Sequence, residues 1–149
     1  MTDLLSWPGP GLWTGVELVY DSTFITPLSD QHVVEIEAAV EQTKARELAI
    51  EDISQTDFPL SGFGMVLQDL LDELMNGRGF ALIRGLPVER WSRDNVARAY
   101  WGIGSWLGDA VSQNAEGHLL GHVTDLRVQK QPSRRIYQTA PHQPFHSAS

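Results

Sequence analysis

An amphipathic helix that runs straight into a glycine-bounded apolar stretch constrains this chain most. Leu67, Leu70, Leu71 and Leu74 fall at i, i+3, i+4 and i+7 within about Met65 to Asn76. That spacing puts all four on one helical stripe facing a core. Gly77 follows as a stop. Phe80-Ala81-Leu82-Ile83 then lies between Gly79 and Gly85. A short apolar run with glycines at both ends reads as a strand buried on both faces, the first strand of a main sheet. Such a strand needs other layers to cover it, so the expected fold class is α+β.

The rest of the chain reads as helices around that strand. Residues 1–12 carry Pro8, Gly9, Pro10 and Gly11 and form an irregular lead-in, with Trp7 and Trp13 as packing anchors. Val16, Leu18 and Tyr20 occupy alternate positions, which predicts a short strand. Phe24-Ile25-Thr26-Pro27 is a connection. Ser29 N-caps a helix reaching about Leu48, with Val33, Ile36 and Val40 inward. Glu35, Glu37, Glu41, Lys44 and Arg46 form its solvated sides. Residues 51–60 are loop, with a turn at Asp57-Phe58-Pro59. Ser92 caps a further helix over about 93–107, its buried face built from Val96, Tyr100, Ile103 and Leu107. Trp101 and Trp106 flank that face and Gly108 ends the helix. Beyond Ala110 helical periodicity disappears, and 122–128 and 136–139 read as strands.

A net charge of −8, from 11 basic and 19 acidic residues, argues against a phosphate-binding surface, so no nucleic-acid partner is expected. The basic cluster Lys130 to Arg135 is short, broken by Pro132, and reads as a solvated loop. The absence of cysteine removes disulfides, thiolate zinc sites and a cysteine nucleophile. No segment approaches the length of a membrane span, and the first residues lack the pattern of a signal peptide. A soluble cytoplasmic protein is the expectation.

His118, His122 and Asp125 invite a metal reading, but Gly117 and Gly121 argue against a helix there. In an extended segment residues four apart lie roughly 13 Å apart, too far to share an ion. The same holds for His142 and His146. Arg84, at the end of the apolar run, reads as a strand-end charge rather than an anion clamp. Gln113-Asn114-Ala115-Glu116-Gly117 is a polar turn-prone loop.

An ordered set of segments carries a resemblance. Trp13-Thr14-Gly15-Val16-Glu17-Leu18, Glu51-Asp52-Ile53, Asp57-Phe58-Pro59-Leu60 and Gly77-Arg78-Gly79-Phe80-Ala81-Leu82-Ile83-Arg84-Gly85-Leu86-Pro87 come first. Tyr100-Trp101-Gly102-Ile103-Gly104 and Gln113-Asn114-Ala115-Glu116-Gly117-His118-Leu119-Leu120-Gly121-His122-Val123 follow, then Tyr137-Gln138-Thr139 and Pro144-Phe145-His146. Together, over roughly residues 13–146, they resemble the N-terminal part of the TauD/TfdA-like dioxygenases, a branch of the Fe(II)/2-oxoglutarate-dependent oxygenases.

The resemblance implies an N-terminal helical layer plus the first strands of a double-stranded β-helix, or jelly-roll, here incomplete. It implies an oxidoreductase with Fe(II) as metal, 2-oxoglutarate as co-substrate and a small organic molecule as substrate. By position His146 matches the first metal-binding histidine, and Asn114 lies where some relatives approach substrate. The family's carboxylate ligand stands two residues after that histidine, and here Ala148 occupies the place. The remaining metal ligand and the 2-oxoglutarate-binding arginine lie further along the family's sequence. Residues 1–149 are accordingly expected to be the N-terminal portion of a single dioxygenase domain, truncated just after His146 and inactive alone. The alternative is a non-catalytic module that binds a protein partner, or a second copy, through an uncovered sheet edge.

Overall fold

A computed structural model describes residues 11–112 and 117–121. The chain divides into two compact units, Met1–Ala110 and Val111–Ser149. The first contains α1 (Gly15–Tyr20), β1 (Ile25–Pro27), α2 (Asp30–Ala45), a 3-10 turn at Ile50–Asp52 and α3 (Phe63–Asn76). β2 (Leu82–Arg84), a 3-10 turn at Val88–Arg90 and α4 (Arg93–Gly104) complete it. The mixture of helix and strand agrees with the α+β reading. In the second unit the described residues form neither helix nor strand, and the strands expected at 122–128 and 136–139 lie outside the described residues.

α1 replaces the strand expected from Val16, Leu18 and Tyr20. Local capping overrides the alternation. The Glu17 amide donates to the Thr14 hydroxyl, and the Glu17 carboxylate accepts from the Thr14 amide at 2.6 Å. This reciprocal pair satisfies two donors at the helix start.

α2 begins at Ser29 as expected, and His32 completes a second capping box. It ends at Ala45, short of Leu48. The Glu47 amide donates to the Lys44 carbonyl and the Leu48 amide to the Thr43 carbonyl. Glu47 adopts a left-handed φ of 53°. These bonds close the last turn and fold Leu48 back onto the core.

The core joins residues of α2, α3 and α4 with buried residues of the loop between α2 and α3. Phe58 is fully buried with Ile36, Ala39 and Val40 of α2, Phe63 and Leu67 of α3, and Ala99 and Ile103 of α4. Of the expected leucine stripe only Leu67 is fully buried; Leu70, Leu71 and Leu74 are half-buried. The N-terminal half of α3 enters the core through Phe63, Gly64 and Leu67.

The buried face of α4 also differs from expectation. It is Ala99, Gly102 and Ile103, whereas Tyr100 is 68% exposed and Val96 and Leu107 are half-buried. Small residues win that face because the backbone passes directly under Phe58: a Cβ on Gly102 would stand 2.3 Å from the Phe58 Cδ2. The flanking tryptophans bridge to the loop. Trp101 Nε1 donates to the Ile53 carbonyl at 3.0 Å and Trp106 Nε1 to the Phe58 carbonyl at 2.9 Å. The indoles thus cover apolar area while satisfying loop carbonyls that would otherwise be desolvated.

β1 and β2 pair in parallel, with Ile25 opposite Leu82, Thr26 opposite Ile83 and Pro27 opposite Arg84. The segment expected as a connection is therefore a strand. β2 is not buried on both faces: Ile83 packs against the core, while Leu82 is 39% exposed. With one neighbour among the described residues, a three-residue strand buries only one side.

Candidate functional site

The residues singled out for chemistry, His146 and Asn114, lie outside the described residues, as do His122, Asp125 and His142. His118 is exposed. Among the described residues no group of three or more histidines, aspartates and glutamates is placed to hold a metal ion. Among the described residues, no helix is long and apolar enough to cross a membrane. Arg84 is exposed at the end of β2, as a strand-end charge would be.

The described residues assemble several polar constellations, three of which cap a helix or border a cavity. The first joins α2 to α3. Both the Gly62 and Phe63 amides donate to Glu35 Oε2, at 2.9 and 3.0 Å. A side chain from another helix thus does the work of an N-cap that Gly62 cannot do itself. Burial disfavours the ionised carboxyl, but the Phe63 and Gly62 amides, with Gln31 and His32, outweigh it and hold Glu35 below the ordinary carboxylate range. A carboxyl whose folded pKa is depressed adds stability above its unfolded pKa of about 4.3 and loses it as pH falls through the folded value. Glu35→Gln is expected to cost about 1 kcal/mol at neutral pH and to flatten the acid limb of the stability curve, measured by urea unfolding between pH 3 and 7.

The second lies between α2 and α4, at a cleft of about 250 Å³ bordered by Glu37, Val40, Glu41, Trp91 and Asn95. Trp91 Nε1 and Arg90 Nη2 both donate to Glu37 Oε1, at 2.8 and 3.2 Å. Glu41 is paired with Lys44. Both carboxylates therefore serve internal partners.

The third centres on Arg78, in the turn between α3 and β2. Its Nε donates to Glu73 Oε1 at 2.8 Å, its Nη1 to Asp21 Oδ2 at 2.9 Å and its Nη2 to Thr23 Oγ1 at 2.7 Å. The Thr23 hydroxyl and amide, then Arg78, hold the Asp21 carboxyl below its ordinary range. The Arg78 amide and guanidinium do the same for Glu73. The guanidinium is thereby committed to two carboxylates and a hydroxyl, as its forked donors allow. An open cavity of about 450 Å³ beside it is bordered by Trp13, Leu18, Asp21, Glu73 and Arg78.

Sequence reasoning missed these constellations. Arg78 carried a visible signal, an arginine between two glycines at a helix stop. Glu35 and Glu37 sit on what read as a solvated face, and only their partners distant in sequence give them a role.

No protein-family model matches the chain. Two curated relatives do. FR-33289 synthase of Streptomyces rubellomurinus is 27% identical over 99% of this chain and 44% of its own length. The taurine hydroxylase-like protein SAT17 of Stachybotrys chartarum is 26% identical over 83% of this chain and 32% of its own length. The chain therefore spans less than half the length of the curated relatives it matches.

Proposed function

We propose that this chain, related to the TauD/TfdA-like dioxygenases, forms the N-terminal portion of one Fe(II)- and 2-oxoglutarate-dependent dioxygenase domain. The observation that carries this reading is the match to FR-33289 synthase along 99% of the chain. His146 is the metal ligand these residues contribute, and Asn114 faces substrate. The substrate is a small organic molecule. The described helical unit is the scaffold, and its own donors do not fit an iron centre.

The jelly-roll belongs to this proposal too. Jelly-roll strands are antiparallel, whereas β1 and β2 are parallel, so that pair is a local ribbon beside the helical layer. The half-buried Leu70, Leu71 and Leu74 on α3 are an apolar surface of the kind a further layer covers. The same surface and the exposed Leu82 favour the second reading, a module that uses its open edge to bind another chain.

Catalysis by residues 1–149 alone is not expected, since a facial triad needs two further ligands and a keto-acid site. Succinate formation from 2-oxoglutarate tests the reading. The chain alone should give none. Carrying Ala148→Asp to restore the carboxylate position and co-expressed with the C-terminal portion of FR-33289 synthase, it should give iron-dependent succinate that His146→Ala abolishes. Turnover by 1–149 alone overturns the dependence on further residues. A complex that forms but makes no succinate overturns the catalytic assignment in favour of the binding module.

A further inference from the structure

Residues 13–24 are fastened to the molecule in an unusual way. α1 has no buried residue. Val16 is 73% exposed, Val19 75% and Tyr20 88%, so the helix contributes almost nothing to the core. Its capping box is internal to the segment, between Thr14 and Glu17. A six-residue helix has no stability of its own in water. Among the described residues, the side-chain attachments that hold it in place lie at its two ends.

The side-chain attachments of both ends converge on one turn. Before α1, Trp13 Nε1 donates to the Arg78 carbonyl at 3.3 Å, and its ring packs edge-on against Phe80 at 4.9 Å. After α1, Arg78 binds Asp21 and Thr23, and Phe24 packs on Phe80 at 5.3 Å. The turn is pinned to α3 separately. Glu73 Oε1 accepts from the Arg78 amide and Nε, and the Glu73 carbonyl accepts from the Gly77 and Gly79 amides. Gly79, with φ of 83°, supplies the left-handed residue that this turn requires.

We infer that residues 13–24 form a strap whose main clasp is the Arg78 guanidinium on Asp21 and Thr23, supported by Trp13 and Phe24 on Phe80, and that the strap opens as a unit while α2, α3 and α4 stay folded. Opening uncovers the cavity beside Arg78, one wall of which is the strap itself through Trp13, Leu18 and Asp21. Release also melts α1, because among the described residues it has no buried side chain to order it. The strap sits at the low end of the molecule's local stabilities and the Phe58 core at the high end.

Hydrogen–deuterium exchange of the full 149-residue chain tests this, comparing the native protein with Arg78→Ala and Asp21→Asn. Asp21→Asn leaves the bonds of Arg78 to Glu73 in place, so it loosens the clasp without disturbing the turn. Both variants are expected to accelerate exchange across residues 15–23 by about tenfold or more, the loss of a charge-assisted bond. Exchange in α2 and α4 should not change. Unchanged exchange across 15–23 in both variants overturns the clasp. Equal acceleration of α1, α2 and α4 in Asp21→Asn overturns the independence of the strap.

Discussion

Phe58→Ala is expected to remove about 3–5 kcal/mol of folding stability. A typical domain has only about 5–15 kcal/mol in total, so the variant stands at the edge of unfolding. Phe58 is fully buried in the core cluster to which α2, α3 and α4 all contribute, and it lies directly against α4 at Gly102. Its truncation leaves a cavity that three helices cannot close together without losing their other contacts. Polar bonds reach the same loop beside it, among them the Trp106 indole on the Phe58 carbonyl and Gln42 Nε2 on the Asp57 carbonyl at 3.4 Å. Asp57 is further held by Arg46 at 2.7 Å. Urea unfolding followed by circular dichroism measures the loss as a fall in midpoint. Phe58→Leu, which fills most of the volume, should retain more than half of what alanine loses. A cost below about 1 kcal/mol for alanine would mean that the core is organised around something else.

Gly102→Ala sets two effects against each other. Alanine in a helix interior is better than glycine by about 1 kcal/mol. Here the added methyl would meet the Phe58 ring at 2.3–2.5 Å, well inside contact distance, and overpacking typically costs about 1–3 kcal/mol. Both partners are fixed, since Phe58 is enclosed and α4 is tethered through Trp101 and Trp106 to the same loop. The clash therefore wins, and the net expectation is a loss of about 1–2 kcal/mol. The double variant Gly102→Ala with Phe58→Leu should lose less than the sum of the two single changes, because the smaller side chain yields space to the methyl. Strict additivity would show that the two residues do not meet.

These two residues also explain what the sequence concealed. A periodic reading weighs large apolar side chains, so it assigned Tyr100 to the buried face of α4. The real face is small, because a phenylalanine from a loop occupies the volume. Nothing local to Asp57-Phe58-Pro59 reveals that the loop runs through the core. α2 was legible because Ser29 and the Val33-Ile36-Val40 spacing agree with one another. α1 was not, because Val16, Leu18 and Tyr20 imitate a strand while Thr14 and Glu17 specify a helix, and the cap prevails over three apolar residues that find no sheet. β1 was missed for its shortness and its proline. Pro27 is tolerated at the end of a strand that has one neighbour among the described residues. In the candidate site, the ordered motifs made the relationship to the dioxygenases legible, and the two curated relatives bear it out. The clasps at Glu35 and Arg78 were not legible, since each joins residues 27 or more positions apart.

A scaffold that includes Phe58 is thus distinct from the iron chemistry proposed above, for which His146 is the proposed ligand. Anaerobic titration of purified 1–149 with Fe(II) and 2-oxoglutarate, read by the visible charge-transfer absorption of an iron-chelated keto acid, tests that separation most directly. No band is expected from this chain, native or His146→Ala. A band that His146→Ala removes would contradict the dependence on further residues while keeping the ligand. A band that survives His146→Ala would contradict the assignment of His146 itself.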